Sequence, residues 1–228
     1  VNIYESEYVI SKLKENGYEI VPFNSLADIY IINTCTVTNT ADNKSEKMIR
    51  QARKTDFPFV YPILKQIFDE MQMKSIESLP EDQFYSLMKL GFISEDYRYS
   101  YRRVWVDERE GRVVGILDMY PYKDQKIIDV VLRHNYAKTG LPISTVIFDD
   151  QEAWPHEWYI DSLAVHPDHW GEGIASSLMD EAEKIAKDHG YNIISLNVDK
   201  ENPRAQKLYV HKGYEVEKSM TIGDRTYD

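Results

Sequence analysis

Gly171, Gly173 and Ala175 form the pattern in this sequence whose chemistry is plainest. A strand-like run ends before Pro167, passes through the two glycines, and opens directly into SSLMDEAEKIAKDHG, where apolar residues recur at helical spacing. The glycines permit φ > 0 and let a ligand approach the main chain closely, while the small Ala175 keeps the helix against its sheet. A turn dense in backbone N–H groups at a helix N-terminus holds an anion without a basic side chain, and the expected anion is a phosphate. Dinucleotide-binding turns carry similar glycines, but they come early in a βαβ run, with an acidic residue closing the next strand. Here the turn comes late, after several strands, and is followed by NPRAQKLYVHKGY, Asn202 to Tyr214. His156, His166 and His169 lie near it in loops without an ordered acidic or thiol partner, so they read as solvated turn residues and no metal is expected.

Together these residues resemble two motifs of the GNAT N-acetyltransferase superfamily. Its acetyl-CoA motif is a hydrophobic strand, a Pro, then Arg/Gln-x-x-Gly-x-Gly/Ala, matched by Val165, Pro167, Gly171, Gly173 and Ala175. Its C-terminal motif, Asn-x-x-Ala-x-x-Leu-Tyr-x-x-x-Gly-aromatic, is matched by Asn202, Ala205, Leu208, Tyr209, Gly213 and Tyr214. Trp170 departs from the pattern, standing where the family has Arg or Gln. The resemblance implies an α/β GNAT fold: a mixed, mostly antiparallel twisted sheet with splayed central strands, flanked by helices. It implies acetyl-CoA as cosubstrate, held by Leu163, Ala164, Val165, Trp170, Gly171, Glu172, Gly173, Ile174, Ala175, Asn202 and Tyr209.

The implied reaction is attack of a primary amine on the thioester carbonyl, through an oxyanion, with CoA thiolate leaving. Backbone amides near Leu163 to Val165 are the expected oxyanion donors. Tyr209 is the candidate acid for the thiolate, a phenol with an unperturbed pKa near 10; its alternative role is packing beside Leu208. Asn202, just before Pro203, suits a helix cap, a CoA contact, or both. Period-two alternation puts Asp161 and Glu157 on one face of the central strand, either one a candidate base or ammonium anchor, or an exposed strand-end acid.

The elements that must position these groups extend back to Met48. MIRQARKTD, Met48 to Asp56, resembles the family's first strand and turn, and VYPILKQIFDEM continues at helical spacing. PEDQFYSLMKLGF predicts a second helix with an acidic first turn and a stop at Gly91. YRRVWVDE and RVVGILDMY alternate as strands of a hairpin turning at Glu110-Gly111. The Pro/Gly-containing stretch from Pro121 to Pro155 is too long for a bare loop unless it is functional or carries short elements. In this superfamily it would lie beside the acceptor site.

Residues 1–47 resemble something else, the N-terminal domain of the tRNA methylthiotransferases. VNIYESE, the GYEIV strand and ADIYIINTCTVTN carry the likeness, with Cys35 at a cluster-ligating position of that family. A cluster needs several thiolates and the chain has 1 cysteine, so no iron–sulfur cluster is expected. The expectation is a non-functional partial α/β fragment, truncated at both ends, followed by the acetyltransferase domain at 48–228. KSEKMIRQARK serves both patterns, as a helix in one and a first strand in the other, and sheet pairing should win at Ile49 to Ala52 against local propensity.

Composition agrees: 43% hydrophobic residues and 12% aromatics are ordinary for a globular domain with a substantial core. No apolar run reaches a membrane span, no signal peptide is visible, and a lone cysteine fits a reducing cytoplasm. The net charge of −11, of which residues 1–47 carry −3, repels nucleic acid and favours cationic amines, though acidity also serves solubility. The expected partner is a small-molecule or peptide amine, with no nucleic acid and no membrane; a homodimer is compatible with the sequence. Alternatives from other classes are a non-catalytic acetyl-CoA sensor and a tRNA-modification module.

Overall fold

A computed structural model describes residues 10–21, 47–142, 144–147, 151–222 and 225–228. The chain falls into two compact units, Val1–Lys47 and Met48–Asp228. In the first, residues 10–15 are helical and Gly17, at φ 84°, ends that helix in the left-handed conformation usual after a C-terminus. Residues 18–21 carry no strand, which corrects the GYEIV expectation: Tyr18 N–H turns back to the Leu13 carbonyl at 3.1 Å instead of entering a ladder. VNIYESE and the segment around Cys35 lie outside the described residues.

The second unit runs β1 (Lys47–Gln51), α1 (Phe57–Met71), α2 (Lys74–Glu77), α3 (Glu81–Phe92), β2 (Val104–Arg109), β3 (Arg112–Pro121), α4 (Val130–Thr139), β4 (Trp158–Val165), α5 (Ile174–Asp188), β5 (Ile194–Leu196), α6 (Pro203–His211), β6 (Met220–Ile222) and β7 (Arg225–Tyr227). Among the described residues the main sheet has five strands in the order β1-β2-β3-β4-β5, and β6 and β7 form a separate hairpin. β2–β3 and β3–β4 are antiparallel and β4–β5 is parallel, the mixed sheet that the motifs imply.

Pairing decides the segment that served two patterns. Residues 47–51 are strand, and Ala52 N–H continues the ladder to the Val104 carbonyl at 2.8 Å. Arg50 fixes the exit from this strand, gripping Asp56 at 2.6 Å and Glu108. α1 follows with Pro58 in its first turn, where a missing N–H costs nothing.

Two apolar clusters cover the sheet. On one face Val60, Leu64 and Phe68 of α1 and Leu87 and Met88 of α3 pack with Val104, Val106 and Ile116. On the other Ile174, Leu178, Ala182 and Ile185 of α5 pack with Leu117, Met119, Trp158 and Ile160. Gly91 does not stop α3, which runs on to Phe92; a Cβ there would lie 2.4 Å from the fully buried Tyr97 ring, so the position is kept small by packing.

The 121–155 stretch carries elements of its own, a 3-10 turn at Tyr122–Asp124 and helix α4. α4 buries Leu132, Asn135 and Tyr136, one of them polar, which leaves little apolar stripe to read in its sequence.

Candidate active site

β5 pairs with β4 only from Trp158–Ile194 to Ile160–Leu196, and beyond that β4 runs to Val165 paired with β3 on its other side only. His166 N–H donates to the Val114 carbonyl at 2.8 Å. Main-chain hydrogen bonding alternates along an antiparallel ladder. Through the register Gly115–Val165 to Asp118–Ser162, Ala164 and Ser162 therefore face β3, and Leu163 and Val165 turn their main-chain groups to the open side. That opening is a cavity of about 830 Å³, lined by Leu163, Ala164 and Val165 together with α6, the start of α5 and the β6–β7 hairpin.

Strict alternation fails inside β4. Asp118 pairs with Ser162 and Met119 with Ile160, so Asp161 is the extra residue of a bulge. Side-chain parity flips there: Trp158 and Ile160 before the bulge join the same apolar cluster as Leu163 and Val165 after it. Tyr159 and Asp161 line the cavity, and Glu157 does not. Glu157 lies before the strand, and its carboxylate accepts from Trp154 N–H at 2.9 Å and the Ser195 hydroxyl at 2.7 Å, which corrects its placement on the shared face.

The glycine turn has the geometry its sequence implies. Gly171 (φ 86°) and Gly173 (φ 75°) are left-handed, and a Cβ on either would meet open space. The first helical bond is Ser177 N–H to the Gly173 carbonyl at 3.0 Å, leaving the N–H groups of Ile174, Ala175 and Ser176 without a helical acceptor. All three residues line the cavity. Gly115 seats this helix start against the sheet: a Cβ there would lie 2.6 Å from Ile174 Cγ2. Gly115 carries no signal in the sequence, because it sits within a hydrophobic strand without turn residues beside it. Glu172 is not in the cavity wall; its carboxylate turns back to Arg109 at 2.6 Å and His169 at 3.2 Å, pinning the turn to β2.

Trp170 lines the cavity half-exposed, its indole N–H donating to the Val165 carbonyl at 2.8 Å and its ring 4.7 Å beneath the Arg204 guanidinium. Asn202 also lines the cavity and caps α6, its side chain accepting from Ala205 N–H at 3.0 Å. Tyr209, one helix turn beyond Ala205, reaches the same wall, and burial pushes its phenol up to about 12.

Beneath the cavity lies a charged cluster around the buried Arg98. This guanidinium holds Asp129 at 3.0 Å, Glu152 at 3.0 Å and Asp161 at 2.6 Å. Asp161 also accepts from Tyr120 and Ser162 hydroxyls, so its oxygens are committed within the fold. Glu152 accepts from the Tyr159 hydroxyl at 2.8 Å, and burial holds its carboxyl above the ordinary range against the opposing pull of Arg98. Asp118, with both oxygens buried and unbonded, is pushed well above the carboxylate range by that burial and by Asp161. Arg98 and Glu152 escaped sequence reading; the signal available for Glu152 was its place in the long stretch expected beside the acceptor.

The fold and cavity define an α/β protein whose central sheet opens a slot toward a glycine turn and a helix start with N–H groups free of helical acceptors. The chain belongs to the Acetyltransferase (GNAT) family, whose profile matches residues 61–214. A crystal structure of an acetyltransferase is 37% identical, with TM-score 0.72, covering 79% of this chain and 96% of that one. An N-acetyltransferase from Staphylococcus aureus Mu50 is 25% identical, with TM-score 0.68, covering 79% and 97%. Residues 1–64 match a second profile, Uncharacterized protein family UPF0004. The threonylcarbamoyladenosine tRNA methylthiotransferase MtaB of Bacillus subtilis (strain 168) is 56% identical over 52 residues, 23% of this chain and 12% of that protein. The chain spans only that small share of this curated relative. Its likenesses are those of a chimera, with the second profile running through β1 into α1. One cysteine does not supply the thiolates of a cluster, and among the described residues no group of His, Cys, Asp and Glu side chains is placed to hold a metal ion.

If the turn holds a phosphate on its N–H groups, Gly173→Val should weaken acetyl-CoA binding at least tenfold, measured by calorimetric titration. The branched side chain would enter the open space above the turn at an unfavourable φ, a conformation costing roughly 1–2 kcal/mol. Unchanged affinity in a folded variant would remove the turn from the site.

Proposed function

We propose that the chain transfers the acetyl group of acetyl-CoA to a primary amine of a small molecule or peptide by direct attack on the thioester. The observation that carries this is the slot itself: main-chain N–H groups of Leu163 and Val165 turned to the side that β5 leaves open, helix-start N–H groups without a helical acceptor at one wall and a carboxylate-lined floor, all bordering one cavity. The phosphates bind the glycine turn, and the pantetheine arm runs along β4 as a further strand would.

The amine nitrogen bonds to the carbonyl carbon while the carbonyl π pair moves to oxygen, where β4 N–H groups receive the charge. Collapse breaks the C–S bond and leaves the electron pair on sulfur. Glu152 is the better proton acceptor of the two floor carboxylates, because burial raises its basicity whereas Asp161 is bound closely by Arg98. Asp161 then serves to hold Arg98, and Arg98 to hold Glu152. A phenol near 12 is too weak an acid to protonate a thiolate outright. Tyr209 instead donates a hydrogen bond to sulfur as charge builds, and the thiol proton comes finally from solvent. Calorimetric titration tests the reading: one acetyl-CoA should bind per chain, and absence of binding would refute it.

Residues 1–47 stand apart as an appendage in this reading, with the acetyltransferase domain at 48–228. The chain from Met48 to Asp228 should bind acetyl-CoA as tightly as the whole, and limited proteolysis should cut residues 1–47 first. An insoluble or inactive shortened chain would make those residues part of the enzyme.

A further inference from the structure

The position three residues before Gly173 carries Trp170 where the family's motif has a basic or amide side chain, yet a guanidinium stands over it. Arg204 comes from the first turn of α6 and lies 4.7 Å from the Trp170 ring centroid. The indole N–H is fixed to the Val165 carbonyl, so the ring is held where β4 leaves the sheet, with Arg204 stacked on its face. Both side chains border the cavity beside Gly171 and Gly173.

Two further features mark this arginine. Among the described residues Arg50, Arg98, Arg102, Arg103, Arg109 and Arg225 are each paired with carboxylates; Arg204, stacked on an indole at the cavity edge, has no carboxylate partner, in a chain of net charge −11. A cation in a helix's first turn also opposes the helix dipole, which favours anions there. An exposed residue that works against its local electrostatics without a compensating ion pair points to function. A guanidinium is well suited to the task, since it stacks on an aromatic face while its edge remains free for paired phosphate oxygens.

We propose that Arg204 is the side-chain ligand for a phosphate of the CoA moiety, and that Trp170 is its positioning residue. The proposal rests on the acetyl-CoA reading above and adds a second, cationic wall facing the glycine turn. The basic group that the family's motif places before the turn is here delivered from α6. CoA offers this chemistry at two places, its pyrophosphate and its 3′-phosphate.

Calorimetric titration of the full chain, Arg204→Ala, Arg204→Lys and Trp170→Ala with acetyl-CoA, acetyl-3′-dephospho-CoA and S-acetylpantetheine tests it. Arg204→Ala and Trp170→Ala should each weaken acetyl-CoA binding roughly ten- to a hundredfold, as expected for a lost charge-assisted contact, with Arg204→Lys between. S-acetylpantetheine, which has no phosphate, should bind all four chains alike. A penalty that vanishes with the dephospho compound identifies the 3′-phosphate; one that persists identifies the pyrophosphate. Unchanged acetyl-CoA affinity in Arg204→Ala would overturn the proposal, as would an equal loss for S-acetylpantetheine, which would mark a packing defect. Failure of the unaltered chain to bind acetyl-CoA would instead bring down the acetyl-CoA reading, and this proposal with it.

Discussion

Tyr209→Phe is expected to lower kcat for acetyl transfer on the order of 10²-fold while leaving acetyl-CoA affinity nearly unchanged. A hydrogen bond to a charged acceptor is worth about 1.5–3 kcal/mol, and the thiolate carries its charge only as the C–S bond breaks. The phenol is pushed up to about 12 by burial, so it keeps its hydrogen through the whole usable pH range. The wild-type rate should accordingly show no alkaline fall from this group near pH 10, where an unperturbed tyrosine would ionise. A variant with wild-type kcat would reduce Tyr209 to its contact with Tyr214, whose ring centroid lies 6.1 Å away.

Glu152→Gln should cost more, on the order of 10²- to 10³-fold in kcat, within the range for removing a general base. The active form is the carboxylate, and burial raises its pKa above the ordinary 4.5. Wild-type activity should therefore climb with pH along an acid limb above that value, and the variant should lose the limb as well as the rate. Arg98 retains Asp129 and Asp161, so the melting temperature should shift much less than for Asp161→Asn, which takes away Arg98's 2.6 Å contact. Wild-type turnover in Glu152→Gln would leave the amine proton to water.

The glycine turn and the Asn202 helix start were legible because their constraints are local: positive φ at Gly171 and Gly173, and a side-chain cap on Ala205 N–H. β1 was legible only as a competition, settled by a ladder bond from Ala52 to Val104 that no local propensity encodes. Glu157 was misplaced because a two-residue period cannot foresee that the strand starts only at Trp158, and the same period does not show the bulge at Asp161 that flips the parity of the residues after it. α4 was legible only as some short element within 121–155, since its buried face includes Asn135 and shows little apolar stripe. Arg98, Glu152 and Arg204 were not visible because each acts through partners distant in sequence: Arg98 spans to Asp161, Glu152 to Arg98, and Arg204 to Trp170.

The central claim is that this slot moves an acetyl group from CoA to an amine. Thiol release from acetyl-CoA, followed over a panel of polyamines, amino acids, aminoglycosides and peptides with mass analysis of each acceptor, tests it most directly. The account predicts amine-dependent CoA release, matched mole for mole by an acceptor gaining one acetyl group and suppressed in Glu152→Gln. Tight acetyl-CoA binding with no thiol release above the rate without amine, across the whole panel, would contradict it and leave a protein that binds acetyl-CoA without transferring it.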